Sequence, residues 1–502
     1  MPIILKKQFF LILLSFLVLT PFIAKADTLG QSQTFNIEAS YGTDPTQKQV
    51  AATLVKSSDD VNFYISNAFW DKKIDKEKGE LNAIIDSLGK EFDSNIYPKL
   101  TSTFGSEANP GIDKDKKITV LFYPMKTTAR GYVRNIDEYE KTVNPFSNQR
   151  EMIYLNADNI SNPLMKSFIA HEFVHLITFN QKEMKYNVSE AIWLNEARAE
   201  YAPTLLGYND NILAENYLTN RVKSFVNASS DSLVEWKGSV DDYGVASMFS
   251  HYLVDHYGIA ILVDSLKSKS TGIASINEAL LENNSKDTFN DVYTNFTIAA
   301  YLNDCTLSDK YCFKNPNLID LHVLPFSNYL PFSGESNLFL GQFLKDYAAH
   351  WQKFSGGVGT LKLTFKNPSN ADFVIPYVIK NVSGEASVNF LKLNKNQSSE
   401  LSVPNIGKDI TSVIVIPSVQ FENSMDTSMS YYYSLTAASF SDTSTNPDNT
   451  DTGGINNSGT DSIKLPFQID KPLSQMNREE LLTVLLKLII TLLTQGKPIS
   501  VQ

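Results

Sequence analysis

The order of apolar and polar positions along the chain predicts a mixed N-terminal part and a β-rich part beyond about residue 330. In the first part, apolar residues recur on one face of a long helix at 76–104, and a buried strand at 117–122 follows it. Two short strands at 53–55 and 61–65 precede that helix, either in the same sheet or within a short pro-segment. Further helices are predicted at 212–226, 243–256, 259–267 and 289–302.

The β-rich part consists of short apolar segments separated by turns of Asn, Gly, Ser and Pro. Their spacing is typical of a small antiparallel sandwich. The fold class expected for the chain is therefore α+β, with a mixed sheet and a helical subdomain over 27–329, followed by an all-β sandwich-like domain over 330–440. The predicted strands of the second domain are 360–365, 373–379, 386–393, 410–416 and 430–438.

The two ends of the chain differ from the rest. A lysine pair precedes an apolar run, and the run ends in a small-x-small cleavage pattern, so 1–26 is predicted to be a signal peptide. A retained membrane anchor is the alternative, but the run is short for a bilayer span. Residues 441–473 are predicted to be a flexible linker. An apolar helix within 474–502 must bury its surface on the enzyme, on another copy, or at a membrane or cell-envelope partner.

Composition narrows the range of partners. Lys and Arg number 44 against 55 Asp and Glu, a net charge of −11, and no lysine-rich face indicates nucleic acid. Cys305 and Cys312 lie close together in a chain expected to be secreted or otherwise extracytoplasmic. They are candidates for a local disulfide, with two buried thiols as the alternative. For Asp113 and Asp115, before the strand at 117–122, a turn is favoured over a contact with calcium.

One stretch of the chain, AHEFVHL at 170–176, carries the motif H-E-x-x-H. Residues four apart share a helical face, so His171 and His175 can bind one metal ion. Glu172 lies on the same edge, where it can take a proton from the attacking water. The spacing alone leaves open that the two histidines are core residues with satisfied hydrogen bonds.

Another stretch, WLNEARAEY at 193–201, supplies two carboxylates. Glu196 follows His175 after about twenty residues, enough for a turn and a further helix to pack back on the first. Glu200 lies one turn beyond Glu196. Thr178 and Gln181 stand where an H-E-x-x-H-x-x-G-x-x-H site has glycine and histidine, so that class is excluded. A solvated acidic helix face is the alternative interpretation of the two glutamates.

Together the two stretches resemble the gluzincin metallopeptidases, and WLNEARAEY is most similar to the bacterial hyicolysin-like group. The resemblance implies that His171, His175 and Glu196 bind Zn²⁺ and that Glu172 is the general base. It places Glu200 outside the ligands, where it orients a ligating imidazole. Two imidazoles, one carboxylate and a water are typical of a catalytic zinc site rather than a structural one.

The same resemblance implies an oxyanion donor on a later helix and an edge strand that pairs with the substrate backbone. Tyr243 is the first candidate for the donor, and His251 is the other. A packed tyrosine and a surface histidine are the alternative. The strand at 152–156 is the candidate for the edge strand, with an ordinary internal strand as the alternative.

The sequence therefore predicts an exported zinc metallopeptidase that acts on protein or peptide substrates. Two other functions stay open. One is a catalytically silent zincin-fold binding or adhesion protein, although an intact H-E-x-x-H counts against it. The other is a zinc hydrolase of a non-peptide amide or ester. The pattern does not indicate an oligomeric state.

Overall fold

The computed structural model describes residues 27–209, 216–332, 336–421 and 429–440. The predicted signal peptide, linker and C-terminal helix lie outside these residues, as does the first part of the helix predicted at 212–226. Helices and mixed sheets are both present, in agreement with the α+β class. None of the helices in the described ranges is both long and apolar enough to cross a membrane.

Within the described ranges, the first sheet has six strands in the spatial order β1-β2-β3-β4-β6-β5. The two pairings that β4 makes, with β3 and β6, are parallel, and the outer pairings are antiparallel. Every residue of β3, β4 and β6 is buried, as expected for strands covered on both faces. The strands are β1 (Ser32–Asn36), β2 (Gln49–Ser57), β3 (Val61–Ser66), β4 (Ile118–Tyr123), β5 (Gly131–Val133) and β6 (Met152–Asn156).

The alternation of side chains along β3 shows how the two faces of this sheet are used. Phe63 and Ile65 belong to the main core with the helices, whereas Tyr64 belongs to a smaller core on the opposite face. Because β3 lies between β2 and β4, the segment before residue 70 is part of the sheet. Loss of that segment as a pro-segment would remove β1, β2 and β3.

The strand predicted to be the substrate-binding edge is not at the edge. Met152–Asn156 lies between β4 and β5, so the edge prediction is wrong and the internal alternative holds. The edge strand on this side of the sheet is β5, a strand of three residues that the sequence pattern did not reveal. It pairs antiparallel with β6, with Gly131 opposite Leu155.

In the described part of the chain, ten α-helices pack on and beyond the first sheet. The helix predicted at 76–104 is α2 and α3, joined by a π-helical turn at Phe92–Ile96. Two helices, α1 and α9, were not predicted. The helices are α1 (Asn67–Trp70), α2 (Asp75–Glu91), α3 (Tyr97–Phe104), α4 (Met165–Thr178), α5 (Ile192–Leu205), α6 (Tyr217–Asn227), α7 (Val240–Tyr257), α8 (Ala260–Lys267), α9 (Gly272–Glu282) and α10 (Phe289–Leu302).

The β-rich part contains ten strands among its described residues, where the sequence pattern predicted five. The predicted boundary at 329–330 falls inside β7, which pairs with β9. Trp351 connects this part to the helices, because its indole Nε1 donates to the carbonyl of Thr297 on α10. The strands are β7 (Phe326–Leu330), β8 (Ser336–Lys345), β9 (Gln352–Gly356), β10 (Gly359–Lys366), β11 (Phe373–Asn381), β12 (Ala386–Leu391), β13 (Ser398–Ile406), β14 (Ile410–Val415), β15 (Ser418–Val419) and β16 (Ser430–Phe440).

Candidate metal centre

Two packed helices, α4 and α5, bring together the residues of both motifs. Helix α4 begins at Met165, after Asn162 accepts a hydrogen bond from the backbone nitrogen of Leu164. Almost all of its residues are buried, and His171 and Glu172 are each only 7% exposed. The turn between the helices returns the chain so that Glu196 on α5 faces α4.

Three ligand atoms of this pair of helices converge on one point. The Nε2 atoms of His171 and His175 are 3.2 Å apart. Glu196 Oε2 lies 3.2 Å from Nε2 of His171 and 3.6 Å from Nε2 of His175. Among the residues that the structure describes, this is the one group of at least three His, Cys, Asp or Glu side chains whose ligand atoms all lie within 4.8 Å of one another.

The chemistry of this donor set fits a zinc ion. Within the described residues, Glu196 Oε2 is buried without a hydrogen-bond partner, which is unusual for a carboxylate oxygen unless an ion or water completes it. The other ring nitrogen of His175 is held by Asn195 Oδ1 at 3.1 Å. A contact at Nδ1 leaves Nε2 free to bind a metal, as is usual for ligating histidines.

The charges at this point also favour a cation. Burial alone would lower the pKa of His175, but the Glu196 carboxylate raises it to about 9. Burial would raise the pKa of Glu196, yet His175 and His171 hold it well below its ordinary value. Both shifts mean that a positive charge is favoured where the three ligand atoms meet.

A buried network holds the outer nitrogen of His171. Its Nδ1 lies 3.3 Å from the hydroxyl of Tyr217 and 3.4 Å from Oε1 of Glu200. Tyr217 donates to Glu200 at 2.6 Å, and Arg221 binds both carboxylate oxygens at 2.7 Å. Glu200 is fully buried, so it is a packed side chain and not part of a solvated helix face.

Tyr217 and Arg221 were not identified from the sequence. The signal that could have indicated them is weak: they lie four apart on α6, as do many unrelated pairs. Arg221 also lies over the ring of Tyr243, 4.9 Å from its centroid. The network therefore links Glu200, the outer nitrogen of His171 and the first oxyanion candidate.

Glu172 lies against the edge strand of the first sheet. A Cβ atom added to Gly131 on β5 would lie 2.9 Å from Glu172 Oε1, so only glycine permits this close approach. Burial raises the pKa of Glu172, and His171 and His175 oppose that effect. The carboxyl group thus lies close to β5 and within electrostatic range of the two histidines.

Tyr41 is a further residue of this region that the sequence analysis missed. Its ring is partly exposed and stacks on Tyr132 of β5, with 4.4 Å between the ring centroids. Burial raises the pKa of Tyr41, and the charges of Glu172 and Glu196 raise it further. Tyr41 therefore lies within electrostatic range of the Glu172 and Glu196 carboxylates.

The two oxyanion candidates lie in different surroundings. The ring of Tyr243 is 6.2 Å from that of His171, and it packs edge-on against Trp236. His251 is fully buried, and its ring nitrogens contact Thr204 Oγ1 at 2.8 Å and the carbonyl of Ser247 at 2.7 Å. Burial lowers the pKa of His251 to about 4. His251 is therefore a satisfied core residue, and its prediction as a surface or oxyanion histidine is not supported by its contacts.

The two cysteines are joined in the structure. Cys305 and Cys312 form a disulfide with a Cα–Cα distance of 5.0 Å, in the segment that follows α10. The carbonyl of Cys312 contacts His256 Nε2 at 2.8 Å. The disulfide closes a short loop after α10 and is not part of the candidate metal centre.

The chain is similar in sequence to a known metalloprotease. The neutral metalloprotease ShpI of Staphylococcus hyicus is 26% identical over 247 residues, which cover 44% of this chain and 54% of that protein. The chain thus spans about half the length of this curated relative. No family model matches the chain. At this coarse level the chain is related to a metalloprotease.

Similar solved structures cover only small parts of the chain. The pre-peptidase C-terminal domain of a collagenase from Bacillus anthracis is 9% identical, with a TM-score of 0.16, and covers 23% of this chain and 96% of that one. The Yersinia pseudotuberculosis-derived mitogen is 15% identical, with a TM-score of 0.16, and covers 22% of this chain and 92% of that one. Scores of this size carry no argument about function.

Proposed function

We propose that the protein is an exported zinc-dependent metallopeptidase of the gluzincin type, with protein or peptide substrates. The observation that carries the proposal is the convergence of His171 Nε2, His175 Nε2 and Glu196 Oε2 beside the buried carboxylate of Glu172. The relationship to a neutral metalloprotease supports the same class. Export rests on the predicted signal peptide at 1–26.

His171, His175 and Glu196 would hold the zinc ion. When bound, zinc would lower the pKa of a water molecule and polarise the scissile carbonyl. Asn195 contacts Nδ1 of His175, and Tyr217 and Glu200 contact Nδ1 of His171, so the Nε2 atom of each ring would be left to bind the ion.

Glu172 takes the proton of the attacking water in this proposal and then passes it to the leaving amine. Burial raises the pKa of Glu172, so its carboxylate accepts a proton more readily than that of an exposed glutamate. Tyr243 would donate its hydroxyl to the oxyanion that forms at the scissile carbonyl. Its half-buried position and the neighbouring Arg221 favour it over His251.

The substrate backbone would pair with β5, the edge strand of the first sheet next to Glu172. In the described part of the chain, β6 is the strand that pairs with β5, which leaves its outer side open. Backbone hydrogen bonds to an edge strand bind peptides largely independently of sequence. A peptide bound there would pass Gly131, next to the Glu172 carboxylate.

A protein digest tests the proposed function. The purified mature chain should cut an unfolded protein substrate, a zinc chelator should stop the cleavage, and added zinc should restore it. Cut sites identified by mass spectrometry would also distinguish internal from terminal cleavage. Absence of new peptide termini from fully zinc-loaded protein would favour the silent binding protein. Cleavage of amide or ester compounds without peptide cleavage would favour the non-peptide hydrolase.

Gly131→Ala should lower peptide turnover by about 100-fold, since a misplacement of about 1 Å at a reacting group has an effect of this size. The added Cβ would lie 2.8 Å from Leu155 Cδ2 and 2.9 Å from both Glu172 Oε1 and the carbonyl of Tyr154, so the carboxyl group or β5 must move. Zinc content should not change. Turnover and bound metal are measured on the same sample.

The matched control for this variant is Gly79→Ala. Gly79 lies within α2, and an added Cβ there meets no atom within 4 Å. This change should leave turnover unchanged and should not lower stability, because alanine is the better helix former. Parent-like turnover in Gly131→Ala would contradict the close approach of β5 to the base.

A further inference from the structure

We propose that Arg221 is a positioning residue, which holds the ring of Tyr243 so that its hydroxyl meets the oxyanion of the reaction. The inference rests on the proposed peptidase function and adds a role for a residue that no motif contains. Arg221 lies on α6 and Tyr243 in the first turn of α7, so the two residues come from separate helices. The guanidinium carbon of Arg221 lies over the Tyr243 ring, 4.9 Å from its centroid.

The backbone of Tyr243 is fixed at the start of α7. The helix begins at Val240 with a capping box, in which Asp242 Oδ2 accepts from the backbone nitrogen of Ser239 at 2.7 Å. The same oxygen accepts from the backbone nitrogen of Lys237 at 3.1 Å, and Asp242 is only 1% exposed. The first turn of α7 therefore has a defined position, and the remaining freedom of Tyr243 is in its side chain.

Helices α6 and α7 approach each other closely beside Tyr243. A Cβ atom added to Gly244 would lie 2.7 Å from the backbone nitrogen of Phe225 and 3.0 Å from Cβ of Ser224. Arg221 lies one turn before Phe225 on α6, and Tyr243 directly precedes Gly244 on α7. The missing side chain of Gly244 thus permits the approach that brings the guanidinium group over the tyrosine ring.

The ring of Tyr243 has three neighbours that set its direction. Besides Arg221, Trp236 packs edge-on with 4.9 Å between the ring centroids, and the His171 ring lies at 6.2 Å. Among the described residues, no hydrogen bond fixes the Tyr243 hydroxyl. Contacts with the ring therefore decide where the hydroxyl points, and a cation over the ring face attracts the ring directly.

Arg221 is itself held by bonds at the edge of its guanidinium group. Nε and Nη2 donate to the two oxygens of Glu200, each at 2.7 Å, and Nη2 also donates to the Tyr217 hydroxyl at 2.9 Å. Glu200 is fully buried, and the side chain of Arg221 is only 19% exposed. Because the donors lie in the plane of the group, a face stays available for an aromatic ring. Arg221 can therefore bind the carboxylate and the Tyr243 ring at the same time.

Arg221 thus joins two parts of the candidate site. On one side, Glu200 and Tyr217 contact Nδ1 of His171 at 3.4 and 3.3 Å, respectively. On the other side, the guanidinium group lies over Tyr243. A lysine at position 221 would keep a positive charge for Glu200 but has no planar group that could also cover the ring. The substitution Arg221→Lys therefore separates the positioning of Tyr243 from the charge balance of Glu200.

A double-mutant cycle of Arg221→Lys and Tyr243→Phe tests the proposal in the mature full chain saturated with zinc. Tyr243→Phe keeps the ring and removes the hydroxyl, so kcat should fall by about 100-fold or more with little change in KM. Arg221→Lys should lower kcat by about 10- to 100-fold, because a small displacement of the hydroxyl weakens its bond to the oxyanion. In the Tyr243→Phe background, Arg221→Lys should cause little further loss, since no hydroxyl is left to position.

Binding of a phosphonate peptide gives a measurement that needs no turnover. Its tetrahedral anion stands in for the oxyanion, so its affinity reports contacts made in the transition state. In calorimetry, each single variant should bind the phosphonate more weakly than the parent, and the double variant should bind it no more weakly than Tyr243→Phe does. The unfolding midpoint of every variant is measured as well. If Arg221→Lys does not fold, Arg221→Gln combined with Glu200→Gln takes its place, because this pair removes both buried charges.

Lys223→Arg, at an exposed position two residues further along α6, is the matched control and should leave kcat and phosphonate binding unchanged. Additive losses in the double variant, or parent-like kcat and phosphonate binding in Arg221→Lys, would overturn the inference, because Arg221 would then be only the partner of Glu200. A parent chain that cleaves no peptide would instead overturn the proposed function, and this inference with it.

Discussion

Replacement of Glu172 by glutamine should lower peptide turnover by about 100-fold or more while the zinc content stays at the parent value. Glutamine has the same shape as glutamate but cannot accept the proton of the attacking water. The side chain is buried beside Gly131, so an isosteric residue fits the space without moving β5. Turnover of a defined peptide, bound zinc and the unfolding midpoint are measured on one preparation.

The control for this variant is Glu80→Gln, the same substitution at an exposed position of α2. It should leave turnover and zinc content unchanged. The buried Glu172→Gln variant should be at least as stable as the parent, because the substitution removes a charge that burial disfavours. Near-parent turnover in Glu172→Gln would mean that another group is the base.

Glu196 and Glu200 should differ sharply when each is replaced. Glu196→Ala removes a proposed ligand, and two histidines rarely suffice to hold zinc, so the variant should lose its metal. Glu200→Gln keeps the side-chain shape next to His171 and Arg221, so it should bind zinc about 10–100-fold more weakly and regain part of its activity in excess zinc. Zinc titration of both variants measures the difference.

Glutamine is the better substitution at position 200 because of Arg221. That guanidinium is largely buried and binds both oxygens of Glu200. Glu200→Ala would leave the Arg221 guanidinium with no acceptor at this position, at a cost of about 3–5 kcal/mol, and would confuse unfolding with metal loss, whereas glutamine keeps one acceptor oxygen for it. If Glu200→Gln proved metal-free while Glu196→Ala bound zinc normally, the ligand would be one turn further along α5 than proposed.

The candidate metal ligands could be predicted from sequence because their geometry is local. The i, i+4 spacing of His171 and His175 depends only on α4 being a helix. Glu196 required one further inference, that α5 packs back on α4, and the spacing between the motifs allowed it. The structure brings the three ligand atoms together.

Strand β5 and the contact of Gly131 with Glu172 were not predicted, because both depend on pairing between segments distant in sequence. Strand β5 has three residues, too few for a periodic pattern, and its place at the edge depends on contacts with β6 across about twenty residues. The apolar run of β6 is equally consistent with an edge or an internal strand. The contact of Gly131 with Glu172 is a tertiary one that no local pattern encodes.

The network around His171 was hidden for a different reason. Tyr217 and Arg221 lie on α6, which begins after residues that carry no recognisable motif, and their partner Glu200 is on another helix. His251 shares a helical face with Tyr243 in sequence, but burial places its imidazole among core residues. Spacing identifies which residues share a face, and only packing decides what that face contacts.

Strands of the β-rich part were missed where polar residues interrupt them. Strand β8 alternates exposed and partly buried positions along an edge and includes Gly341, so its pattern is weak. Strand β13 is largely polar and exposed, although it pairs with β10 along most of its length. Pairing with a neighbour, and not hydrophobicity, defines these strands.

The most direct test of the proposed zinc peptidase function is a zinc titration of metal-free protein, with peptide hydrolysis as the measurement. Activity should rise in proportion to added zinc and stop rising at about one zinc per chain, the number that one site of two histidines and one glutamate binds. His171→Ala should show no such rise at these concentrations. Hydrolysis by the metal-free protein, or an equal rise in His171→Ala, would contradict a zinc peptidase centred on His171, His175 and Glu196.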